Sequence, residues 1–188
     1  MQPAVFLDRD GTILEELGYL TPATTLAIYP WSIDAIRLLR RAGFAVVVVT
    51  NQGGIARGLY TREFVEETHR TLGARFAAAG AAVDAWRYCP HHPEPLVEGL
   101  GTPCACRKPE PGMVQDAALA LDIDLARSWV IGDQWRDIQV GHAVGARSVL
   151  VRTGHGRAQE TEWPVEIALP TAICDNLVGA VAVVGEDG

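Results

Sequence analysis

Val5-Phe6-Leu7-Asp8-Arg9-Asp10-Gly11-Thr12 joins an apolar run to two carboxylates two residues apart and a glycine. The apolar part reads as a strand and the rest as its carboxyl-end turn. In extended backbone, residues i and i+2 share a face, so Asp8 and Asp10 converge on one ligand while Arg9 points elsewhere. Two acids held that close repel each other unless a cation or a shared proton lies between them. The pair therefore implies a divalent metal, a raised pKa on one acid, or both. The same string also suits a plain Asp-Gly turn, and D-x-D-G alone does not separate the two readings.

The chain has 188 residues and a formal net charge of −7, with a pI near 5.2. That length suits one domain spanning residues 1–188, enough to bury about two-thirds of the unfolded surface without staples. The acidic balance argues against a protein that grips a nucleic-acid backbone, whose affinity comes from clustered Lys and Arg. An anionic ligand would need a local positive site. No amino-terminal stretch couples basic residues to a long apolar core, and the longest apolar run, Phe44–Val49, is far too short to span a bilayer. A soluble, cytoplasmic protein is expected. Four cysteines are few for a disulfide scaffold, and three of them, Cys89, Cys104 and Cys106, crowd into one segment, which points to metal.

Short β-rich runs alternate with helical stretches, the pattern of an α/β fold with a mainly parallel sheet and crossover helices. Strands are predicted at Pro3–Leu7, Phe44–Val49, Val83–Tyr88, Trp129–Ile131 and Ser148–Val151. Phe44–Val49 is apolar without alternation, as expected of a strand covered on both faces. Helices are predicted at Ile33–Arg41, with Ser32 as N-cap and Gly43 as stop, and at Thr61–Ala79, closed by Gly80. Further helices follow at Gly112–Leu121 and Ile138–Val144, with Asn176–Val184 as a terminal helix. Arg157–Pro170 has no clear periodicity and reads as surface loop.

On that map Asp8, Thr50-Asn51, Cys89 and Asp133 each fall just past the carboxyl end of a strand, where open α/β sheets bind ligands. Thr50-Asn51-Gln52-Gly53-Gly54 combines a hydroxyl, an amide and a glycine-rich turn with free backbone N–H groups, a composition suited to a phosphate. Glycine-rich loops also lead into helices without binding anything. Arg57, a little further on, can fork onto a second phosphate or a sugar hydroxyl. Asp133 is a hard oxygen ligand suited to Mg²⁺, which keeps several waters and takes only one or two carboxylates. As an isolated residue it equally suits an N-cap. Asp137 is better placed to orient the loop or a metal-bound water than to bind Mg²⁺ itself.

Cys89-Pro90-His91 is followed, after twelve residues, by Cys104-Ala105-Cys106. Three thiolates and an imidazole suit tetrahedral zinc, and four protein ligands leave no open position, so such a zinc is structural. It would pin an irregular loop, 89–106, that contains Pro90, Pro93, Pro95 and Pro103. His92 is also available, but His91 can share a face with Cys89 whereas adjacent residues diverge. Cys174, in an apolar context, reads as a core thiol. Arg107-Lys108-Pro109 follows the last ligand, so the loop delivers two cations to a defined place. Lysine offers a compact counter-charge for a transferring phosphoryl group, and arginine can grip a remote phosphate or hydroxyl pair.

In this order, Asp8-x-Asp10-Gly11-Thr12, Thr50, Lys108, and Gly132-Asp133 with Asp137 resemble the four motifs of the haloacid dehalogenase-like phosphohydrolases. The Cys/His loop, Arg107-Lys108-Pro109, Gly18-Tyr19 and Thr50-Asn51-Gln52 resemble its small zinc-bearing branch of heptose-bisphosphate and histidinol-phosphate phosphatases. Gly54-Ile55-Ala56-Arg57-Gly58 is nearer the heptose members. The resemblance implies a Rossmann-like three-layer fold without a separate cap domain. It implies Asp8 as nucleophile, Asp10 as general acid and then base, and Thr50 and Lys108 on the phosphoryl oxygens. Mg²⁺ would lie on the Asp8 carboxylate, the Asp10 carbonyl and Asp133, and Zn²⁺ on Cys89, His91, Cys104 and Cys106. Substrate contacts would come from Arg9, Glu16, Leu17, Gly18, Tyr19, Asn51, Gln52, Gly53, Arg57, Arg107 and Gln134.

The implied partner is a small phosphorylated sugar, met by a monomer. Two departures bear on substrate identity: Gln134 stands where heptose members often carry lysine, and Gly53 where they often carry serine. Without a cap, water must be excluded by loops, chiefly the zinc loop. A sugar-bisphosphate phosphatase therefore leads over a histidinol-phosphate phosphatase, and a polynucleotide 3′-phosphatase is disfavoured by the acidic charge. A non-catalytic zinc-stabilised binding module has no need of Asp8, Asp10, Lys108 and Asp133 together.

Overall fold

The computed structural model describes residues 1–21 and 26–186. Six strands, β1 (Ala4–Leu7), β2 (Ala45–Asn51), β3 (Ala85–Cys89), β4 (Trp129–Gly132), β5 (Arg147–Val151) and β6 (Ala172–Cys174), form one sheet in the order β3-β2-β1-β4-β5-β6. Every neighbouring pair is parallel. The helices are α1 (Ser32–Arg41), α2 (Arg62–Ala78), α3 (Gly112–Leu121), α4 (Trp135–Ala143), α5 (Gly156–Thr161) and α6 (Leu177–Glu186).

Strand alternation sends Val5 and Leu7 of β1, and Val46 and Val48 of β2, into one core with side chains of α1, α2 and α6. Ala4, Phe6, Ala45, Val47 and Val49 enter the other core, with Met113, Val114 and Ala117 of α3 and Val140 of α4. Because both faces are covered, a period-two strand shows no polar alternation in sequence. This is the three-layer, Rossmann-like arrangement expected. The chain runs from β1 to β2 in one direction and later to β4 in the other, so a switch-point crevice opens at the carboxyl ends of β1, β2 and β4.

Two expectations are corrected. Trp31, not Ser32, caps α1; the Ser32 hydroxyl donates instead to the Ile13 carbonyl at 2.8 Å. Arg157–Pro170 is not all loop, since α5 occupies its start. The short strand β6 was not anticipated, because three residues are too few to show a period. α4 begins at Trp135, three residues before its predicted start, where the polar run Gln134–Asp137 masks the helical pattern. Among the described residues, no helix is long and apolar enough to cross a membrane. The described residues between β1 and α1, and those between β2 and α2, hold only turns and isolated bridges.

Candidate active site

Asp8 follows β1 and Asp133 follows β4, while Thr50 and Asn51 end β2 and Cys89 ends β3. The sheet thus carries all four clusters to one edge. A cleft of about 230 Å³ opens there, with Asp8, Asp10, Thr50, Lys108 and Asp137 among its lining residues.

The Lys108 side chain is 3% exposed and its Nζ lies 2.5 Å from Asp8 Oδ1 and 2.7 Å from Asp137 Oδ1. It also donates to the Val49 carbonyl at 2.8 Å. Asp8, Asp133 and Asp137 offer oxygens that all lie within 4.8 Å of one another. Asp133 is wholly buried. Its Oδ2 accepts from His155 N at 2.8 Å, whereas its Oδ1 has no partner among the described residues. Burial, reinforced by the charges of Asp8 and Asp137, pushes the Asp133 carboxyl up to about 9. Burial likewise raises Asp8 to about 7, the pull of Lys108 being offset by Asp137 and Asp10. Burial disfavours the Lys108 ammonium, but Asp137 and Asp8 outweigh it and hold its pKa above the ordinary value.

Three buried acids around one lysine, with a partnerless oxygen among them, have the donor set of a hard divalent cation site. Asp137 has the least to offer such a cation, since its Oδ2 accepts from Gln134 N at 3.1 Å and its Oδ1 faces Lys108. Gly11 is required above the cluster: its φ is +84°, and a Cβ there would come within 2.2 Å of Asp133 Oδ2.

Asp10 is held from the side. Arg9 Nε donates to its Oδ1 at 3.1 Å and Nη2 to its Oδ2 at 2.9 Å, and Gln52 Nε2 donates to Oδ2 at 3.0 Å. Thr50 Oγ1 accepts from Gln52 at 2.9 Å and lies 3.5 Å from the same Asp10 oxygen. Arg9 therefore does not point away. β1 ends at Leu7, so strand alternation no longer governs residues 8–10, and the long arginine stem folds back onto its neighbour. Arg9 lines the cleft floor, but its guanidinium is spent on Asp10 and on His69 Nε2, 3.1 Å away, rather than offered to a ligand. Burial, and then the Arg9 charge, pull the His69 pKa down to about 3, which keeps the ring neutral and Nε2 an acceptor. His69 stacks on Trp86 at 4.9 Å. Sequence reasoning missed it, because nothing in α2 marks a partner for residue 9.

Asn51 braces the lysine: its Nδ2 donates to the Lys108 carbonyl at 3.1 Å and Lys108 N donates to its Oδ1 at 3.0 Å. Gln52 Oε1 accepts from the Tyr60 hydroxyl at 2.9 Å. A Cβ on Gly53 would lie 2.9 Å from His92 Cδ2 and 3.3 Å from Arg107 Nη1, a steric reason for glycine at this position. Arg107 Nη1 donates to the His91 carbonyl at 2.7 Å. Glu16, Gly18, Tyr19 and Gln134 also line the cleft, as expected. Glu16 Oε1 accepts from Gly18 N at 2.7 Å, fixing that loop.

Leu17 and Arg57 are not brought to the cleft. Leu17 is exposed between two lining residues. The turn after Gly53 carries Arg57 outward, where it pairs with Glu94 at 3.3 Å. Tyr60, His92 and Arg136 line the cleft without having been anticipated. The only signal for Arg136 was its place three residues after Asp133.

Cys89, His91, Cys104 and Cys106 form a second cluster that could hold a metal. His91 enters through Nδ1, 3.4 Å from Cys89 Sγ and 3.3 Å from Cys106 Sγ. His92 stays out, its Nδ1 accepting from Glu94 N at 3.0 Å. Burial pushes the Cys89 thiol far above its ordinary pKa, a cost that a cation would remove. Cys174 is free and partly buried against the first core.

Fold and cleft together define the class of haloacid dehalogenase-like hydrolases, and a HAD-hydrolase-like family model matches residues 105–180. The chain is 44% identical over 162 residues to the D-glycero-β-D-manno-heptose-1,7-bisphosphate 7-phosphatase of Escherichia coli (strain K12), covering 85% of this chain and 84% of that protein. The crystal structure of D,D-heptose 1,7-bisphosphate phosphatase from B. bronchiseptica, complexed with magnesium and phosphate, superposes with a TM-score of 0.82 at 33% identity, over 99% of both chains. Its counterpart from Burkholderia thailandensis gives 0.70 at 30% identity, over 97% of both. The chain belongs to this family of heptose-bisphosphate phosphatases.

Proposed function

We propose that the protein hydrolyses the 7-phosphate of D-glycero-β-D-manno-heptose 1,7-bisphosphate, releasing heptose 1-phosphate and inorganic phosphate. The observation that carries this reading is the buried Asp8 beside Lys108, with a partnerless Asp133 oxygen and a restrained Asp10, in a chain 44% identical to an enzyme of that name.

In this reading Asp8 attacks phosphorus, and the bond from phosphorus to the sugar oxygen breaks as the aspartyl-phosphate forms. Asp10 gives its proton to the leaving oxygen. It then takes one from the water that attacks the aspartyl-phosphate, returning free Asp8 and phosphate. Lys108 favours the ionised form of Asp8 against its burial and, with the Thr50 hydroxyl, meets the phosphoryl oxygens. Arg9, Gln52 and His69 keep Asp10 within reach. The Asp8 and Asp133 carboxylates and the Asp10 carbonyl would hold Mg²⁺, which neutralises the repulsion between nucleophile and phosphate when bound.

Cys89, His91, Cys104 and Cys106 would hold a structural Zn²⁺. Bonds of about 2.3 Å in a tetrahedron give sulfur separations of about 3.8 Å. Cys104 Sγ lies 3.8 Å from both Cys89 Sγ and Cys106 Sγ, while the Cys89–Cys106 pair is closer at 2.7 Å. Glu16, Gly18, Tyr19, Gln52, Gly53, Arg107 and Gln134 would contact the sugar phosphate. The chain would act as one domain and a monomer, in the cytoplasm, where its four unpaired thiols persist.

Magnesium-dependent phosphate release from the α and β heptose bisphosphates and from histidinol phosphate tests the reading. The β bisphosphate should give the highest kcat/KM, and Asp8→Asn should abolish release while leaving the fold intact. A folded, metal-loaded protein that releases phosphate from none of them refutes it.

A further inference from the structure

Arg136 lines the cleft with Arg107 and Gln134, at the second position of α4. Its Nε is buried and has no hydrogen-bond partner among the described residues. Among the described residues, nothing forms an ion pair with it. The acids nearby are committed elsewhere: Asp8 and Asp137 to Lys108, Asp10 to Arg9, and Glu16 to Gly18 N. Helix energetics do not account for it, because a cation in the first turn opposes the helix dipole at a cost of about 0.3–1 kcal/mol.

Arg136 also faces a second cation. Arg107 lines the same cleft. Arg107 spends one N–H on the His91 carbonyl. Gln134 beside them is neutral. Two guanidinium groups that share a half-buried cleft repel each other, and an anion removes that repulsion while filling both forks.

We infer that Arg136, together with Arg107, binds the second phosphate of the bisphosphorylated sugar, the one that is not cleaved, and so sets the preference of this chain for a bisphosphate over a monophosphate. This rests on the reading under Proposed function, in which Asp8 marks the end where cleavage occurs. Arg136 touches neither Asp8 nor Lys108, so its contribution is to recognition rather than to the bond-breaking step.

The test measures kcat/KM of the magnesium-loaded enzyme on heptose 1,7-bisphosphate and on heptose 7-phosphate, for wild type, Arg136→Gln and Arg136→Lys. Losing hydrogen bonds to a charged group is expected to lower the bisphosphate-to-monophosphate ratio about 10- to 100-fold in Arg136→Gln, chiefly through KM. Arg136→Lys keeps the charge without the fork and should fall between that variant and wild type. A ratio reduced less than tenfold, or equal losses on both substrates, overturns the inference while leaving the phosphatase reading in place. A wild-type enzyme that releases no phosphate from the bisphosphate overturns both.

Discussion

Replacing Asp133 with asparagine should abolish phosphate release and, in the absence of metal, make the protein more stable. The folded carboxyl titrates at about 9 against an ordinary 3.8. Its folded pKa is raised, so the folded chain binds more protons than the unfolded one between those values. The group costs nothing below about pH 4, and its cost grows as pH rises toward 9. At pH 8 the gap of about four units corresponds to an upper bound of about 6 kcal/mol. Relaxation around a buried charge, and water reaching the cleft, bring the expected gain to about 3 kcal/mol. Asparagine keeps the bond from His155 N through its carbonyl and stays neutral beside Asp8 and Asp137 without taking up a proton, with Lys108 still between those two. For a chain of this size, about 3 kcal/mol raises the melting temperature by roughly 6–12 °C. Differential scanning with EDTA at pH 8 reads the shift, and at pH 5 it should shrink to a few degrees. Saturating Mg²⁺ should stabilise wild type by about 2.7 kcal/mol at a hundredfold excess over Kd and leave the variant unmoved. A variant that melts at or below wild type in EDTA at pH 8 refutes the reasoning.

Two more perturbations probe the supports of the site. His69 has a lowered pKa in the fold, so its contribution is intact above about pH 6.5 and is lost as pH falls toward 3. His69→Gln, which keeps an acceptor for Arg9 but takes no proton, should therefore gain about 3 kcal/mol on wild type between pH 7 and pH 4.5 in urea unfolding. A difference that does not change with pH speaks against it. Cys104→Ser should lower the bound transition metal below one ion per chain by elemental analysis and make loop 89–106 the first segment cut by protease, whereas unchanged metal content would remove Cys104 from the cluster.

Much of the fold was legible because its signals are local. β2 reads as an unbroken apolar run because each of its faces meets a core, and α2 is bounded by Thr61, whose hydroxyl accepts from Phe64 N at 3.2 Å. β6 and α5 escaped because three and six residues carry too little period to stand out. In the site, Asp8, Asp133 and Cys89 were readable from residue type and from position at strand ends, and Lys108 and the rest of the Cys/His set from residue type and spacing. Arg9 was misdirected, since alternation ends with the strand and a long side chain then goes where a charge draws it.

The order of the acidic, hydroxyl, basic and metal-ligating clusters is written in the sequence, and Asp8, Thr50, Cys89 and Asp133 each lie at a strand end that hydrophobicity alone locates. Side-chain pairings across the sheet edge are not. Asn51 bracing Lys108, His69 holding Arg9, and Arg136 sharing a cleft with Arg107 each join elements far apart in the chain. Such contacts depend on how helices and loops settle over the strands, and burial then decides which charges are compensated and which are left waiting for a ligand. The chemistry of the Asp8–Asp10 turn was therefore fixed by local sequence, whereas the partnerless oxygen of Asp133 and the unpaired cation of Arg136 exist only once the chain has packed.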